Sequence, residues 1–365
     1  AHAAVSAVVN GEEVFGDTVK LNRQFNASAN VVEGDAFTLT TSYVPVGERP
    51  VETFTVGSDV SLVVASASIE TATAFVLEDP AGNRYGSGIG LPVLGSAVGT
   101  SAPGMAGEWK LYASGIGSIS GVSVDPLGVT NGVGVPSTID VNIRLLETAG
   151  FNGLNDASGH PAQSFIEYVV SEQLMDSKSQ GFMPDAALTR EDLADTLGLA
   201  ANLRQSLLGN TTQFFDTASS DFNAAINAAT TSGQVLADLT QSDDSVMVNA
   251  GGDLFYPDEA VNRAALAYSL VQSMGLQEAA AAFDPDSDIV AIVLGEAVVV
   301  EDAQDIPADW RGYVQQALAA GLMNVEVYIT QGPYDFEPTL HAKFNPADKV
   351  SRGEAAFSVT QFNQF

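Results

Sequence analysis

The chain of 365 residues contains no cysteine. Disulfide bonds and thiolate metal sites are therefore excluded, although this leaves the cellular compartment open. Apolar runs are also short, and none approaches the roughly 18–20 residues that a membrane-spanning helix needs. The start, Ala1 to Val5, lacks the basic region of a signal peptide, which fits a trimmed fragment of a secreted precursor. We expect no transmembrane segment.

Basic residues are scarce. Only 14 Lys and Arg oppose 45 Asp and Glu, which gives a formal net charge of -31. Nucleic-acid binding needs clustered Lys and Arg against phosphates, so this composition argues against it. An acidic surface resists aggregation and suits a saline or calcium-containing exterior. It also repels anionic ligands, so binding one would need a locally positive groove or bound cations.

Catalytic patterns are missing as well. The three histidines are His2, His160 and His341, and no segment resembles a serine nucleophile, a metalloprotease helix, a phosphate loop or a dinucleotide-binding turn. The sequence therefore predicts no catalytic residue, no enzyme activity and no organic cofactor.

One acidic segment has the alternating spacing of calcium loops. Asp284, Asp286 and Asp288 stand at every second position, without the Gly and the distal Glu of an EF-hand. Two interpretations stay open, a Ca²⁺ site and a solvated acidic loop, of which the loop is favoured.

Three segments of the second half match without a gap. Each has Phe, a variable residue, Pro, three further residues, Leu or Val, then Thr, Asn or Ser, and finally Arg. They run from Phe182 to Arg190, from Phe255 to Arg263 and from Phe344 to Arg352. A repeat of this kind sets the fold class, because repeated units stack on one another.

Each match predicts the start of a helix. Thr189, Asn262 and Ser351 are strong N-cap residue types, and an apolar helical pattern follows each of them. The Arg that comes next then occupies the first helical position, where the helix dipole disfavours a cation by roughly 0.3–1 kcal/mol. Three of the nine arginines occupy this position, namely Arg190, Arg263 and Arg352.

Two explanations account for these arginines. An arginine beside free backbone N–H groups at a helix start makes a site for an external anion. Alternatively, each Arg pairs with a carboxylate of the neighbouring copy. The two explanations do not exclude each other across three copies, and we favour an external anion in at least one groove.

A second helix precedes each capped one. The spacing of Trp310, Val314, Ala317 and Gly321 in the third copy is repeated in the middle copy, where Phe222 stands in the place of Trp310. The order of Asp, Trp, Ala-x-x-x-Gly-Leu, Phe-x-Pro and Thr-Arg resembles the S-layer homology repeat, most clearly over residues 305–322. The resemblance implies three tandem repeats that form an all-α prism with pseudo-threefold symmetry. It also implies grooves that bind anionic cell-wall polysaccharide.

The resemblance assigns roles to individual residues. The family's arginine corresponds to Arg190, Arg263 and Arg352, and its aromatic residue corresponds to Trp310 and Phe222. Asp216 is expected to accept a sugar hydroxyl. The spacing between the arginines exceeds that of a compact repeat, and the excess lies in residues 238–252 and 326–343. These inserts are expected to cover a groove, and one or two grooves are expected not to bind.

The first 150 residues predict short strands separated by turns. The expected strands are Ala36–Val44, Val60–Ser68, Thr71–Glu78, Trp109–Ser114, Ile119–Val124 and Thr138–Leu146. This spacing is typical of an antiparallel β-sandwich with a jelly-roll-like arrangement. The Gly- and Ser-rich stretch from Gly86 to Gly107 is expected to be a surface connection.

This half also resembles the sandwich modules that follow secreted proteases. Leu77-Glu-Asp-Pro-Ala-Gly82 and Gly107-Glu-Trp-Lys-Leu111 are similar to a hairpin and a strand of the pre-peptidase C-terminal and P-type modules. Residues 1–5 resemble the short helix that ends a subtilisin-like catalytic domain. The resemblance implies that a protease catalytic domain precedes this chain.

The sequence thus predicts five parts. They are a linker or end of an upstream domain (1–34), a β-sandwich (35–150) and three S-layer homology repeats (151–212, 213–280 and 281–365). We expect a non-catalytic, extracellular region of a subtilase-like protein that binds cell-wall polysaccharide and is retained at the cell surface. The alternatives are a protein–protein assembly module and a regulatory or folding extension of a protease.

Overall fold

The computed structural model places a β-sheet region before a helical region, the order that the sequence predicts. It describes residues 2–9, 12–20, 28–69, 71, 73–87, 97–115, 118–119, 122–123, 131–132, 134–178, 180–203, 213–217, 220–249, 251–293, 296–331 and 339–364. Among these residues, no helix is both long and apolar enough to cross a membrane.

Among the described residues, twelve strands precede the first α-helix. They are β1 (His2–Val9), β2 (Glu12–Lys20), β3 (Ser28–Tyr43), β4 (Glu52–Val56), β5 (Val60–Ser68), β6 (Thr73–Glu78), β7 (Arg84–Gly86), β8 (Ala97–Pro103), β9 (Gly107–Gly115), β10 (Ser118–Ile119), β11 (Val122–Ser123) and β12 (Ser137–Asn152). Two four-stranded sheets form the sandwich, in the orders β3-β12-β5-β8 and β4-β9-β6-β7. Every pairing within them is antiparallel.

The sandwich core contains side chains of both sheets. Trp109 is fully buried, and its ring lies 6.1 Å from that of Phe54 and 5.9 Å from that of Tyr85. Ile139 and Ile143 of the other sheet belong to the same cluster. The Trp109 indole N–H donates to the Met105 carbonyl at 2.7 Å, so the buried ring keeps a hydrogen-bond partner.

Two segments differ from expectation. The stretch predicted as a surface connection contains β8, whose Val98 and Ala102 are buried because they pair with β5 along a full edge of the sheet. The segment predicted as a short helix and linker forms an antiparallel hairpin of β1 and β2. The Val residues of β1 and β2 favour strands, whereas β8 is a strand because it pairs with β5.

In the part of the helical region that the structure describes, there are seven α-helices and four short strands. The helices are α1 (Gln163–Ser171), α2 (Arg190–Ala200), α3 (Asn223–Ala229), α4 (Arg263–Ser273), α5 (Gln277–Ala281), α6 (Ala308–Ala319) and α7 (Arg352–Phe362). The strands are β13 (Val290–Val293), β14 (Glu296–Val299), β15 (Glu326–Thr330) and β16 (Thr339–Lys343). Hairpin β15–β16 forms the second predicted insert.

The helices pair in a closed cycle. Helix α2 of the first copy packs on α3 of the second, α4 of the second packs on α6 of the third, and α7 of the third packs on α1 of the first. Each capped helix therefore contacts the preceding helix of the next copy, and the last copy returns to the first.

The sandwich packs against this helical region. Leu62 and Val64 on one face of β5 join the helical core, whereas Val63 and Ala65 on the other face join the sandwich core. Strands alternate their side chains between two faces, so one strand serves two cores. Both faces of β5 are consequently buried.

Candidate functional site

The candidate site forms where the three capped helices begin. The side chains of Thr189, Asn262 and Ser351 each accept a hydrogen bond from the backbone N–H three residues later. All three cap residues have extended backbone angles, as N-caps do. The structure therefore agrees with the local prediction for all three helix starts.

A ring of backbone hydrogen bonds joins the residues just before the caps. Leu188 N–H donates to the Val350 carbonyl, Val350 N–H to the Val261 carbonyl, and Val261 N–H to the Leu188 carbonyl, each at 2.9 Å. We call this the backbone ring. It places the three helix starts side by side, although their residues are far apart in sequence.

The first N–H groups of these helices are already bonded. At the first helical position, the N–H groups of Arg190, Arg263 and Arg352 donate to carbonyls of the next copy in the cycle, at 2.9, 3.0 and 2.8 Å. The acceptors are Glu259, Asp348 and Ala186. The following N–H groups donate to the carbonyls of Pro257, Pro346 and Pro184.

This arrangement corrects one premise of the anion-site prediction. Free backbone N–H groups were expected at each helix start, but neighbouring carbonyls and the cap side chain occupy them. The carbonyl dipoles bring partial negative charge to the end of the helix that carries partial positive charge. They therefore offset the penalty for an arginine at the first helical position.

The three guanidinium groups make one contact pattern. In each, Nε donates to the carbonyl of the Phe that begins the Phe-x-Pro segment of the next copy. The pairs are Arg190 with Phe255 at 2.8 Å, Arg263 with Phe344 at 2.6 Å and Arg352 with Phe182 at 2.8 Å. The guanidinium carbon also lies over the same Phe ring, at 4.5, 4.8 and 4.8 Å. Such a stack adds a cation–π attraction.

A second bond from each guanidinium reaches the chain ahead of that Phe. Nη2 donates to the carbonyls of Val248, Asn324 and Asp176 for Arg190, Arg263 and Arg352 respectively. Burial lowers the pKa of all three groups. An arginine nonetheless keeps its proton at neutral pH, because its unperturbed pKa is above about 12. Each arginine therefore ties two carbonyl groups of the next copy to its own helix.

An aspartate stabilises each Phe-x-Pro turn from the other side. Both oxygens of Asp216 accept the Phe255 N–H, at 2.9 and 3.1 Å, and one accepts the Tyr256 N–H at 2.7 Å. Asp156 and Asp302 make the same bonds in the other copies. In the third copy, Asp302 occupies the position that Asp216 occupies in the second.

These bonds give Asp216 a structural role. Burial opposes its charged form, but donation by the Phe255 and Tyr256 amides outweighs burial, and the pKa of Asp216 lies below its usual range. Tyr256 has a positive φ of 59°, a left-handed conformation that a non-glycine residue adopts only when its surroundings hold it there. The acceptance of a sugar hydroxyl by Asp216 stays a prediction.

Carboxylates complete two of the three arginine sites. Arg352 Nη1 lies 3.1 Å from Asp192, which also binds Lys178 at 2.8 Å. Arg263 Nη1 pairs with Glu354 in the same way. Arg190 has no carboxylate within ion-pair distance among the residues that the structure describes, because Ala265 occupies the equivalent position. The prediction of a carboxylate from the neighbouring copy therefore holds for two arginines.

The predicted aromatic residues lie between copies. Trp310 stacks on Tyr268 of the preceding copy with ring centres 5.6 Å apart, and Tyr313 lies 4.6 Å from Tyr268. Phe222 is half-buried against the helical core. Sequence reasoning missed Tyr268, which stands on the capped helix five residues after Arg263, where only the helical period pointed to it.

The predicted metal residues do not converge. Asp284, Asp286 and Asp288 are exposed, and the Asp284 carboxylate accepts the Asp286 N–H at 3.0 Å in a local turn. In the part of the chain that the structure describes, no three acidic or histidine side chains are grouped so that they could hold a metal ion. The bond from the Asp286 N–H shows a local turn in this segment, and a Ca²⁺ site there stays a prediction.

Hairpin β15–β16 carries a polar cluster that sequence reasoning also missed. His341 Nδ1 lies 2.5 Å from Glu301 and its Nε2 lies 2.7 Å from the Thr330 hydroxyl. Tyr328 stacks on the imidazole at 4.7 Å and donates to the other Glu301 oxygen at 2.5 Å. The hydrogen bonds from Tyr328 and His341 lower the pKa of Glu301, and the bond from Tyr328 has the larger effect. The cluster fixes the hairpin to the turn at Glu301.

Comparison with known proteins adds one finding. A family model of the S-layer homology domain matches residues 153–194, which include Asp156, Phe182 and Arg190 of the first copy. No curated protein matches the chain. Similarity to an S-layer homology domain over this stretch points to association with the cell surface through binding of a cell-wall polymer.

Proposed function

We propose that the helical region anchors the protein to the cell envelope by binding an anionic cell-wall polysaccharide in a groove between copies. The observation that carries the proposal is the S-layer homology match to the first copy, whose Asp, Phe-x-Pro and arginine contacts recur in the other two. We extend the same kind of repeat to the second and third copies on the basis of these contacts.

Two kinds of group support this proposal. The arginines at the helix starts supply positive charge, and Trp310 and Phe222 supply aromatic surface at two different contacts between copies. Aromatic rings and guanidinium groups together suit an acidic sugar, because a ring packs against the apolar side of the sugar and a guanidinium binds its carboxylate.

The test alters the ligand instead of the protein, because substitution of the arginines would also destabilise the fold. The full chain is sedimented with purified envelope polysaccharide before and after its carboxylates are converted to neutral amides. We expect the protein to pellet with the untreated polysaccharide and to stay in the supernatant with the neutralised one. Equal pelleting in both samples contradicts recognition of an anion, and no pelleting in either contradicts anchoring.

A second candidate is protein–protein assembly, which one observation favours. Hairpin β15–β16 exposes Val327 and Ile329 at 40% and 63% of their surface, and all five residues of β15 are exposed. An exposed apolar edge strand can pair with another chain. Light scattering of the wild type and of Ile329→Lys decides this candidate. Assembly that the substitution abolishes supports it, and a monomer at all concentrations rejects it.

The protease context is also a proposal. It rests on the similarity of the sandwich to modules that follow secreted proteases, because β1 (His2–Val9) overlaps the short helix expected at residues 1–5. In this proposal a subtilase catalytic domain precedes the sandwich, which supports its folding or regulates it. Sequencing the residues before Ala1 tests it, and a segment without a subtilase serine signature rejects it.

A further inference from the structure

Strand β15 is the outer edge of its sheet. Among the described residues, β15 pairs only with β16. The other side of β16 is already occupied, because Ala342 forms a bridge with Val300 and its carbonyl accepts the Glu301 N–H at 2.9 Å. The sheet can therefore gain a further strand only beside β15.

The hairpin register shows which backbone groups of β15 point outwards. In an antiparallel ladder, hydrogen-bonded and non-hydrogen-bonded pairs of residues alternate. Ala342 directs its carbonyl to Glu301, so Ala342 and the opposite Val327 form a non-hydrogen-bonded pair. The N–H and C=O of Val327 consequently point away from β16, and those of Ile329, two residues further on, do the same. These four groups form the open edge of β15.

The side chains of the same two residues are exposed. Val327 is 40% exposed and Ile329 is 63% exposed. Ile329 lies opposite Leu340 of β16, which is half-buried, so the apolar face continues across the hairpin. Only one residue of β15, Glu326 at its start, carries a charge. An edge that is apolar and unprotected by Pro or by several charges is a template for another strand.

We infer that β15 pairs antiparallel with β15 of a second copy of this chain, about a twofold axis at Tyr328. The inference rests on the assembly candidate given under the proposed function, and it deepens that candidate by naming the partner and the register. In this register, Val327 of each copy lies opposite Ile329 of the other. All four outward groups of each strand are then paired, in four hydrogen bonds between the copies.

The strand is complementary to itself in this register. On the apolar face, Val327 and Ile329 of the two copies meet. On the other face, Glu326 lies opposite Thr330 of the second copy and Tyr328 lies opposite its counterpart, so no like charges are opposed. Centring the pairing on Val327 or on Ile329 would place the other of these residues beyond the end of the partner strand.

Net charge and interface size set the expected strength of this contact. Each copy has a formal net charge of -31, so two copies repel each other until salt screens their charges. An edge of five residues also gives a small interface, and interfaces below about 1,200 Å² are weak or transient. We therefore expect a weak dimer that becomes stronger as the NaCl concentration rises, which is opposite to the response of an ion-paired contact.

Cross-linking tests the register directly, because the chain contains no cysteine. Glu326→Cys and Thr330→Cys are mixed in equal amounts in about 1 M NaCl and oxidised. In the proposed register these residues form a non-hydrogen-bonded pair with Cα atoms about 4.5 Å apart, which a disulfide can span. Each variant alone has its two cysteines about 14 Å apart. We expect a disulfide-linked dimer in the mixture and monomers in the separate samples.

A second mixture controls for random collision. Glu326→Cys is combined with Val135→Cys, whose position in the sandwich region is 59% exposed and lies outside β15. The yield of cross-linked dimer should be at least about tenfold lower than with Thr330→Cys. Equal yields in the two mixtures overturn the inference.

Two substitutions at the edge test its chemistry in sedimentation equilibrium at low and high salt. Ile329→Lys puts a charge into the apolar face twice in each dimer, so we expect the dimer to be at least about tenfold weaker. Ile329→Pro removes an outward N–H that β16 does not use, and Pro is tolerated on edge strands, so this variant is expected to fold and not to dimerise. Val135→Lys, with the same charge change elsewhere, should dimerise like the wild type.

The inference is also overturned if Ile329→Lys dimerises like the wild type, or if the wild type stays monomeric up to about 1 mM. Sedimentation with envelope polysaccharide keeps the proposals apart. A wild type that stays monomeric but pellets rejects assembly and leaves anchoring intact. A wild type that dimerises without the mixed disulfide leaves assembly intact and rejects the pairing of β15. Loss of the dimer in Ile329→Lys with unchanged pelleting supports both anchoring and the pairing.

Discussion

Arg352 donates from Nε to the carbonyl of Phe182 at 2.8 Å, across 170 residues of sequence. This bond, with the contact between α7 and α1, joins the last copy to the first. The helical region is therefore a closed cycle, and the arginines are part of what closes it.

The closing arginine is expected to matter more for stability than its open counterpart. Arg352→Gln leaves Asp192 buried with only Lys178 as a partner, and breaking a buried pair costs about 3 kcal/mol. Arg190→Gln loses two hydrogen bonds but strands no carboxylate, so we expect a cost of about 1–2 kcal/mol. Urea denaturation of both variants measures the difference.

A double variant checks the cause. Arg352→Gln combined with Asp192→Asn removes the stranded charge, so it should recover part of the lost stability. No recovery, or a larger loss for Arg190→Gln, would contradict the role given to the pair.

Asp216 is expected to make stability depend on pH in acid. Its folded pKa lies below the unfolded value of about 3.9, so its contribution is present above pH 4 and is lost as pH falls through the folded pKa. Asp216→Asn should cost about 1.5–3 kcal/mol at pH 7, because two charge-assisted amide bonds are weakened. Denaturation at several pH values should show a flatter acid limb for the variant. Asp253→Asn, at an exposed position, should behave like the wild type.

The two tryptophans report on the two regions separately. The chain has two Trp, and they lie in the sandwich core (Trp109) and between the helical copies (Trp310). Leu62 is fully buried where the sandwich packs against the helical region, so Leu62→Ala should lower the free energy of unfolding by about 3 kcal/mol. The unfolding midpoint should then fall for the fluorescence of both tryptophans. Fluorescence of Trp109→Phe and Trp310→Phe backgrounds measures each region. Independent midpoints would show that the contact does not couple the regions, and Val135→Ala, an exposed site, is the control.

Tyr85 is expected to contribute to stability in alkali. Burial, with the charge of Asp79, raises the pKa of Tyr85 to about 12. A raised pKa stabilises the fold fully below the unfolded value of about 10, and the contribution is lost as pH rises through about 12. Since the ring is partly exposed, solvent screening reduces this contribution to about 1 kcal/mol. Tyrosinate absorbance of wild type and Tyr85→Phe should differ by one group titrating near pH 12, and a difference near pH 10 would contradict the burial argument.

Local features of this fold could be predicted from sequence. The three N-caps follow from a Thr, Asn or Ser before an apolar helical pattern, because capping involves only neighbouring residues. Strand β5 was predicted with its observed bounds, since Val60, Val63 and Val64 are β-branched and no Gly or Pro interrupts the segment. In contrast, β8 is rich in small residues, and only its pairing with β5 makes it a strand.

The acceptors of the arginines could not be predicted. They are backbone carbonyls of the next copy, such as that of Phe255 for Arg190. Since every residue has a backbone carbonyl, the sequence does not show which one accepts the hydrogen bond. The sequence has Ala265 where the other copies have Asp192 or Glu354, but the consequence for Arg190 requires the cyclic order of the copies. For the same reason, free N–H groups were expected where neighbouring carbonyls in fact bind.

The backbone ring also limits how such a protein can change in size. In an open solenoid, a unit can be gained or lost at either end, since each unit contacts only its neighbours. Here the backbone N–H groups of Leu188, Val261 and Val350 all donate to carbonyls within these three residues. A fourth unit would therefore have no free N–H group of the ring to bind, and the loss of one unit would break two of the three hydrogen bonds. Diversity among proteins built this way should therefore arise by lengthening the loops or by altering single positions such as 265, while the number of units stays constant.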